Sequence, residues 1–290
     1  MSMIGTTGVT GGAGRADAME ALGADEPERI TGRIGGVRRG LRMAAPVIGL
    51  AVFFLAWQYG VKVFDIKKFL LPRPSDILST LNGDKSFFFR MARTTMWEAF
   101  AGFAIAFVAA MVIATFMAHS RFIERAVLPL AVLIQVTPII AYTPAIVAWQ
   151  GYGFKSIIVV TALVCFVPFL INGVTGMRSV DANLIELARS VDASKREVFF
   201  RLRLPSALPS LFSAARIAVG LALIGAVLGE YFAGSLSGLG YTIKVAQNRR
   251  ALGLNLWGAI YVLAFIGAAA TLLLTVVERV ALHWHSSQRE

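Results

Sequence analysis

The segment from Asp181 to Pro205, DANLIELARSVDASKREVFFRLRLP, is a charged, helix-prone stretch between two strongly apolar ones. Its residue types suit recognition rather than bond-making. Leu184, Leu187, Ala188 and Val191 fall at i, i+3, i+4 and i+7, one face of a helix. Ser194 followed by Glu197 fits a capping box, so a second short helix is expected to start there. Val198, Phe199 and Leu202 give that helix its own apolar face, and Pro205 is expected to end it. Two short helices joined by a turn, each with an apolar face, offer a surface on which a partner protein can push. The plain alternative is an amphipathic helix lying on a membrane surface with no partner.

Reactive chemistry has little support elsewhere. His283 and His285 flank Trp284, and His119 stands apart. A metal site needs more ligands than this, whereas an aromatic anchor at a membrane edge needs no more. No nucleophile–base constellation is visible, so no catalytic residue and no metal are expected. No G-x-x-x-x-G-K-[ST] phosphate loop occurs; Gly153-Phe154-Lys155-Ser156 is only a partial match. The single Cys165 excludes an internal disulfide framework. The net charge of +11 is spread over loops beside apolar segments, where acidic headgroups attract it. No nucleic-acid partner is expected from it.

The elements that position these residues are membrane helices. Hydrophobic residues make up 57% of the chain, charged ones 16%, and mean hydropathy is +0.68. A span needs about 20 apolar residues. Six segments qualify, at about Ala44–Val61, Met96–Met117, Ala126–Ala148, Ser156–Val174, Leu211–Phe232 and Trp257–Ala281. In lipid every backbone polar group must be paired within its own segment, so these are helices and the protein is all-α and polytopic. Residues 1–43 are rich in Gly, Ala and acidic residues and read as a disordered cytoplasmic tail without a signal peptide. Residues 44–94 hold the first span and an external segment, and 95–284 the main transmembrane domain. Arg38, Arg39 and Arg42 before the first span favour a cytoplasmic start. Lys and Arg are only modestly more numerous on the side so assigned, and the basic stretch Lys62–Arg93 fits its outside position poorly.

Polar residues inside spans are expensive and therefore informative. Gln135 and Thr137 precede Pro138 in the third span, which also holds Pro144. Each proline removes a backbone donor and loosens the helix, as where a span lines a cavity. Gln135, Thr137, Pro138, Pro144 and Asn172 are the candidate pathway residues. Glu98 and Glu230 fall near the outer ends of the second and fifth spans, and Arg216 falls early in the fifth. At such positions snorkelling or capping is the simpler reading. Arg216 and Glu230 are fourteen residues apart, about 21 Å along a helix, too far to pair within it.

Glu186-Leu187-Ala188, a turn, then Leu204-Pro205 with Ala207-Leu208-Pro209 resembles the cytoplasmic EAA loop of permease subunits of bacterial ABC importers. Leu71-Pro72-Arg73-Pro74-Ser75 looks like the LPxPS segment of one branch, the permeases for nitrate, taurine and aliphatic sulfonates. Pro138, Pro144, Gly151, Gly153, Phe166, Pro168, Asn172, Glu230 and Gly238-Leu239-Gly240 also fit. The likeness covers about residues 45–284. Two departures stand out. Asp192 occupies the EAA turn where the family usually has Gly, and it is among the few residues that tolerate a left-handed conformation. Leu187 replaces the middle Ala of the triplet.

The resemblance implies a six-span permease with the type I ABC importer fold in the bacterial inner membrane, both ends cytoplasmic. It implies that loop 181–209 couples to a separate ATPase dimer through Glu186, Leu187, Ala188, Asp192, Leu204 and Pro205. It implies a second permease copy, a periplasmic or lipid-anchored binding protein, and a small anion such as a sulfonate, taurine or nitrate as cargo. No cofactor is expected in this chain, since ATP would bind the partner. An ion-coupled transporter or channel is the competing class. It calls for carboxylates deep in the bundle, whereas Glu98 and Glu230 read as span-end residues.

Overall fold

Prolines decide where this chain starts, bends and resumes its helices. The computed structural model describes residues 27–248 and 253–283, those of 27–44 and 248 by their backbone alone. Among the described residues every regular element is helical. The chain divides into two units, residues 1–64 and 65–290.

The first unit holds α1 (Pro27–Val63). Its membrane-length apolar part is Ala45–Val63, close to the expected first span. The helix begins at Pro27, inside the stretch expected to be a disordered tail over 1–43. Proline at a first helical position has its φ already set and gives up only an N–H that would have no intrahelical partner. The rest of the expected tail, residues 1–26, lies outside the described residues.

The second unit begins with α2 (Pro74–Gly83), which the Leu71–Ser75 segment leads into, with Pro74 in the first turn and Pro72, Pro74 and Ile77 buried. There follow α3 (Lys85–His119), α4 (Arg121–Val136), α5 (Ile139–Gln150) and α6 (Phe154–Arg178). Two short helices, α7 (Ala182–Ser190) and α8 (Lys195–Val198), precede α9 (Leu204–Phe232), α10 (Leu239–Asn248) and α11 (Gly253–Ala281).

The core is the packing of α3, α6 and α9 on one another. Small residues recur every fourth position on the facing sides: Ala106, Ala110 and Ala114 on α3, and Ala214, Ala218, Ala222 and Ala226 on α9. Lipid gives helices no hydrophobic reason to associate, so close backbone approach through small residues holds such a bundle. Gly225 and Gly229 mark close approaches of α9 to α6. A β-carbon at Gly225 would lie 2.7 Å from Thr161 Cα, and one at Gly229 would lie 2.9 Å from Ile157 Cα.

Two expected elements differ. The third span, expected as one helix over Ala126–Ala148, is the pair α4 and α5, bent by 103°. Thr137, before proline, is held extended at φ −72° and ψ 123°, and Pro138 has no N–H to continue the ladder. Among the described residues five helices have membrane length and apolarity, and a sixth span exists if the bent pair counts as one. Pro205, expected to end the second loop helix, does not. A π turn over Phe199–Arg203 joins α8 to α9, with Leu204 N–H donating to Phe199 O, so Pro205 falls in the first turn of α9, where its missing donor costs nothing.

Candidate functional site

The short helices α7 and α8 stand off the three-helix core between Arg178 and Arg203. Asp181 caps α7, its side chain accepting from Asn183 N–H at 2.9 Å. Ser194 and Glu197 close the expected capping box on α8: Ser194 Oγ accepts from Glu197 N–H at 3.3 Å, and Glu197 Oε2 accepts from Ser194 N–H at 2.9 Å. Between them Asp192 has φ 53°. Asp192 N–H donates to Arg189 O at 3.1 Å and Ala193 N–H to Ala188 O at 2.9 Å. This pair of bonds is the Schellman ending of a helix, with Asp192 in the left-handed position. The turn thus takes the conformation expected of it, with Asp in the place usually given to Gly.

The apolar side chains of this loop face outward. Leu187 is 61% exposed, Val191 70% and Phe200 63%. Leu184 and Glu186 are exposed, and Ala188 is half-buried. A concavity of about 420 Å³ runs between the two helices, lined by Ala188, Val191, Asp192, Glu197, Val198 and Arg201 among others. Leu204 and Pro205 are half-buried at the root of α9 and do not join that surface.

Both ends of the loop are fastened to the end of α3. Arg178, the last residue of α6, donates through Nη2 to Met117 O at 2.8 Å and through Nη1 to Glu124 Oε1 at 2.7 Å. Arg203 Nη1 donates to Ala118 O at 3.5 Å, and the Phe199 ring lies 6.3 Å from that of His119. Met117 and Ala118 belong to the last turn of α3, whose carbonyls have no intrahelical partner. None of these contacts is expected from the sequence. The available signal was that Arg178 and Glu124 flank loops assigned to one membrane face.

The candidate pathway residues cluster only in part. Gln135, Thr137, Pro138 and Pro144 are all exposed at or near the α4–α5 bend. Thr137 Oγ1 donates back to Leu133 O at 2.8 Å. Asn172 lies on α6, six residues from its end, and its Nδ2 donates to Pro168 O at 2.9 Å within that helix. Gln135 lies fourteen residues into α4, so the two sit at different depths.

Glu98 and Glu230 do not snorkel but are buried inside the bundle, and Glu230 takes up the other expected role, capping. They are 3% and 0% exposed, and their carboxyls face each other between α3 and α9, with Glu98 Oε2 making no hydrogen bond. Glu230 accepts from Thr95 Oγ1 at 2.6 Å and from Gly240 N–H at 2.5 Å. Leu239 N–H donates to Thr95 Oγ1 at 2.9 Å. The carboxyl of Glu230 therefore caps α10, where a negative group is favoured. Gly238, at φ 105°, is required because a β-carbon there would fall on that carboxyl. The signal available beforehand was that both glutamates fall near one membrane face. Arg216 pairs with Glu278 of α11 rather than snorkelling alone.

Residues 102–286 match the family described as the binding-protein-dependent transport system inner membrane component. The chain belongs to this family. It is a permease, a multi-pass inner-membrane subunit of an ABC importer, and its family is one of transport proteins rather than enzymes. Work with an ATPase and a substrate-binding protein follows from that membership. The permease is 32% identical to the formylaminopyrimidine transport permease protein ThiX of Halalkalibacterium halodurans, over 87% of this chain and 100% of that one. It is 27% identical to the putative aliphatic sulfonates transport permease protein SsuC of Bacillus subtilis, over 94% and 98%. The inward-facing MetNI methionine ABC transporter shares its fold, with a TM-score of 0.58 at 17% identity over 66% of the permease and 94% of that chain.

Proposed function

We propose that two copies of this permease form the pathway and that loop 181–209 seats on a cytoplasmic ATPase, with both chain ends inside. Glu186, Leu187, Ala188 and Asp192 form the contact, and Leu204 and Pro205 root the loop in α9. The observation that carries this reading is the outward apolar face of Leu184, Leu187, Val191 and Phe200 on a loop whose two helices are both capped. A monomer has no reason to hold such side chains in water, whereas a partner groove would bury them. ATP binds the partner, and this chain supplies no phosphate loop and no cofactor. Gln135, Thr137, Pro138 and Pro144 line the route at the α4–α5 bend, where freed backbone groups can face a water-filled space. Asn172 is kept as a pathway residue only at a separate level.

The cargo is a small organic or inorganic solute handed over by a periplasmic or lipid-anchored binding protein. A sulfonate, taurine or nitrate-like anion is the first reading, supported by the likeness to SsuC. A pyrimidine is the second, favoured by the higher identity to ThiX. Calorimetry of the cognate binding protein against a panel holding both classes separates them. The coupling assignment is tested by Glu186→Ala and Ala188→Glu in the reconstituted complex. Both variants should insert normally and lower substrate-stimulated ATP hydrolysis; unchanged hydrolysis in both would remove these residues from the contact.

A further inference from the structure

We infer that Arg178 is the positioning residue that transmits movement of the loop to the α3–α4 corner. The inference rests on the ATPase seating at the loop. The guanidinium is planar and offers a rigid fork of donors, so one side chain can hold two acceptors in fixed relation. Here it holds Met117 O at the end of α3 and Glu124 at the start of α4, the two sides of the break at Ser120. Arg178 is itself the residue from which the loop departs. The exit of the loop meets the same turn through Phe199 against His119 and Arg203 on Ala118 O. The loop therefore reaches the end of α3 at both its roots, and through Glu124 it reaches α4, whose other end is the bend at Thr137 and Pro138. A push on α7 moves that corner as one piece only while the fork is intact.

As an ion pair Arg178–Glu124 has little to give to stability, because both side chains are partly exposed and such pairs are worth little. Its use is geometric. The two arms of Arg178 act on different helices, and among the described residues no other ion pair joins α4 to α6.

The test uses the full complex of permease, ATPase and binding protein in proteoliposomes. Solute uptake and ATP hydrolysis are measured in the same vesicles for Arg178→Gln, Arg178→Lys and Glu124→Gln. Co-purification of the ATPase is measured beside them. For Arg178→Gln the expected result is normal co-purification, hydrolysis retained to half or more, and solute moved per ATP lowered at least about threefold, within the range for residues that carry coupling. Arg178→Lys should fall between, since an ammonium holds one acceptor firmly and not both in fixed geometry. The double variant Arg178→Gln with Glu124→Gln should be no worse than Arg178→Gln alone, because both remove the same contact. An unchanged ratio of uptake to hydrolysis overturns the inference, whether the two rates stay normal or fall together. Loss of the ATPase on co-purification of Arg178→Gln overturns it too, since the residue would then only support the docking surface. Should that variant fail to fold, Glu124→Gln carries the same test. Ala188→Cys in the otherwise native permease is cross-linked to the ATPase in parallel. Absence of that cross-link refutes the docking reading itself, independently of the ratio.

Discussion

Replacing Glu230 by Ala should destabilise the permease by about 1–3 kcal/mol. The side chain is fully buried and accepts two donors, the Thr95 hydroxyl and Gly240 N–H. Each buried donor left unpaired costs about 1–3 kcal/mol. The Thr95 hydroxyl is relieved, because Met91 O already lies 3.2 Å from it. The Gly240 N–H at the start of α10 is not, and it sets the magnitude, at the lower end if water follows into the space. Glu98 also loses the carboxyl it faces. Glu230→Gln keeps the shape and one acceptor and should lose less than half as much. Unfolding in detergent by titrated SDS, followed by tryptophan fluorescence, gives both values. A loss for Glu230→Ala no larger than the ~0.6 kcal/mol typical of a single interhelical hydrogen bond in a membrane would refute the capping argument.

Asp192→Gly should leave uptake unchanged or improved, whereas Asp192→Val should lower it, because a left-handed backbone costs an L-residue about 1–2 kcal/mol and a β-branched one more; comparable loss in both would make the carboxylate itself the required group. Glu98→Gln should shift unfolding by less than about 1 kcal/mol, since an amide supplies the donor that two facing carboxyls need between them, and a larger loss would sink that pairing. Gly225→Val should abolish accumulation of folded protein in the membrane, because its β-carbon would meet the α6 backbone at Thr161; normal accumulation would show that α6 and α9 can part there. Ser194→Cys should resist an impermeant thiol reagent added outside intact cells, and ready labelling would reverse the orientation.

The α7–α8 loop was legible because its signals are local. Capping needs Ser194 and Glu197 three residues apart, and a left-handed turn needs a residue such as Asp192; both are written in neighbouring positions. The spans were legible for the same kind of reason, since apolar length is a property of the chain alone. The sequence placed five of six as long helices and read Pro138 as a weak point, but it could not say that the weak point opens to 103°, because a proline permits a bend without setting its size. It expected Pro205 to stop a helix, where a π turn lets the helix run on into α9. The pairings were beyond it altogether. Glu98 with Glu230, Arg178 with Glu124 and Met117, and Arg216 with Glu278 join residues between 54 and 132 positions apart, and which of many polar groups meet is decided only when helices choose their neighbours and their rotation. Local chemistry was therefore determined by the sequence itself, while the contacts by which a push on the loop reaches the spans exist only in the packed bundle.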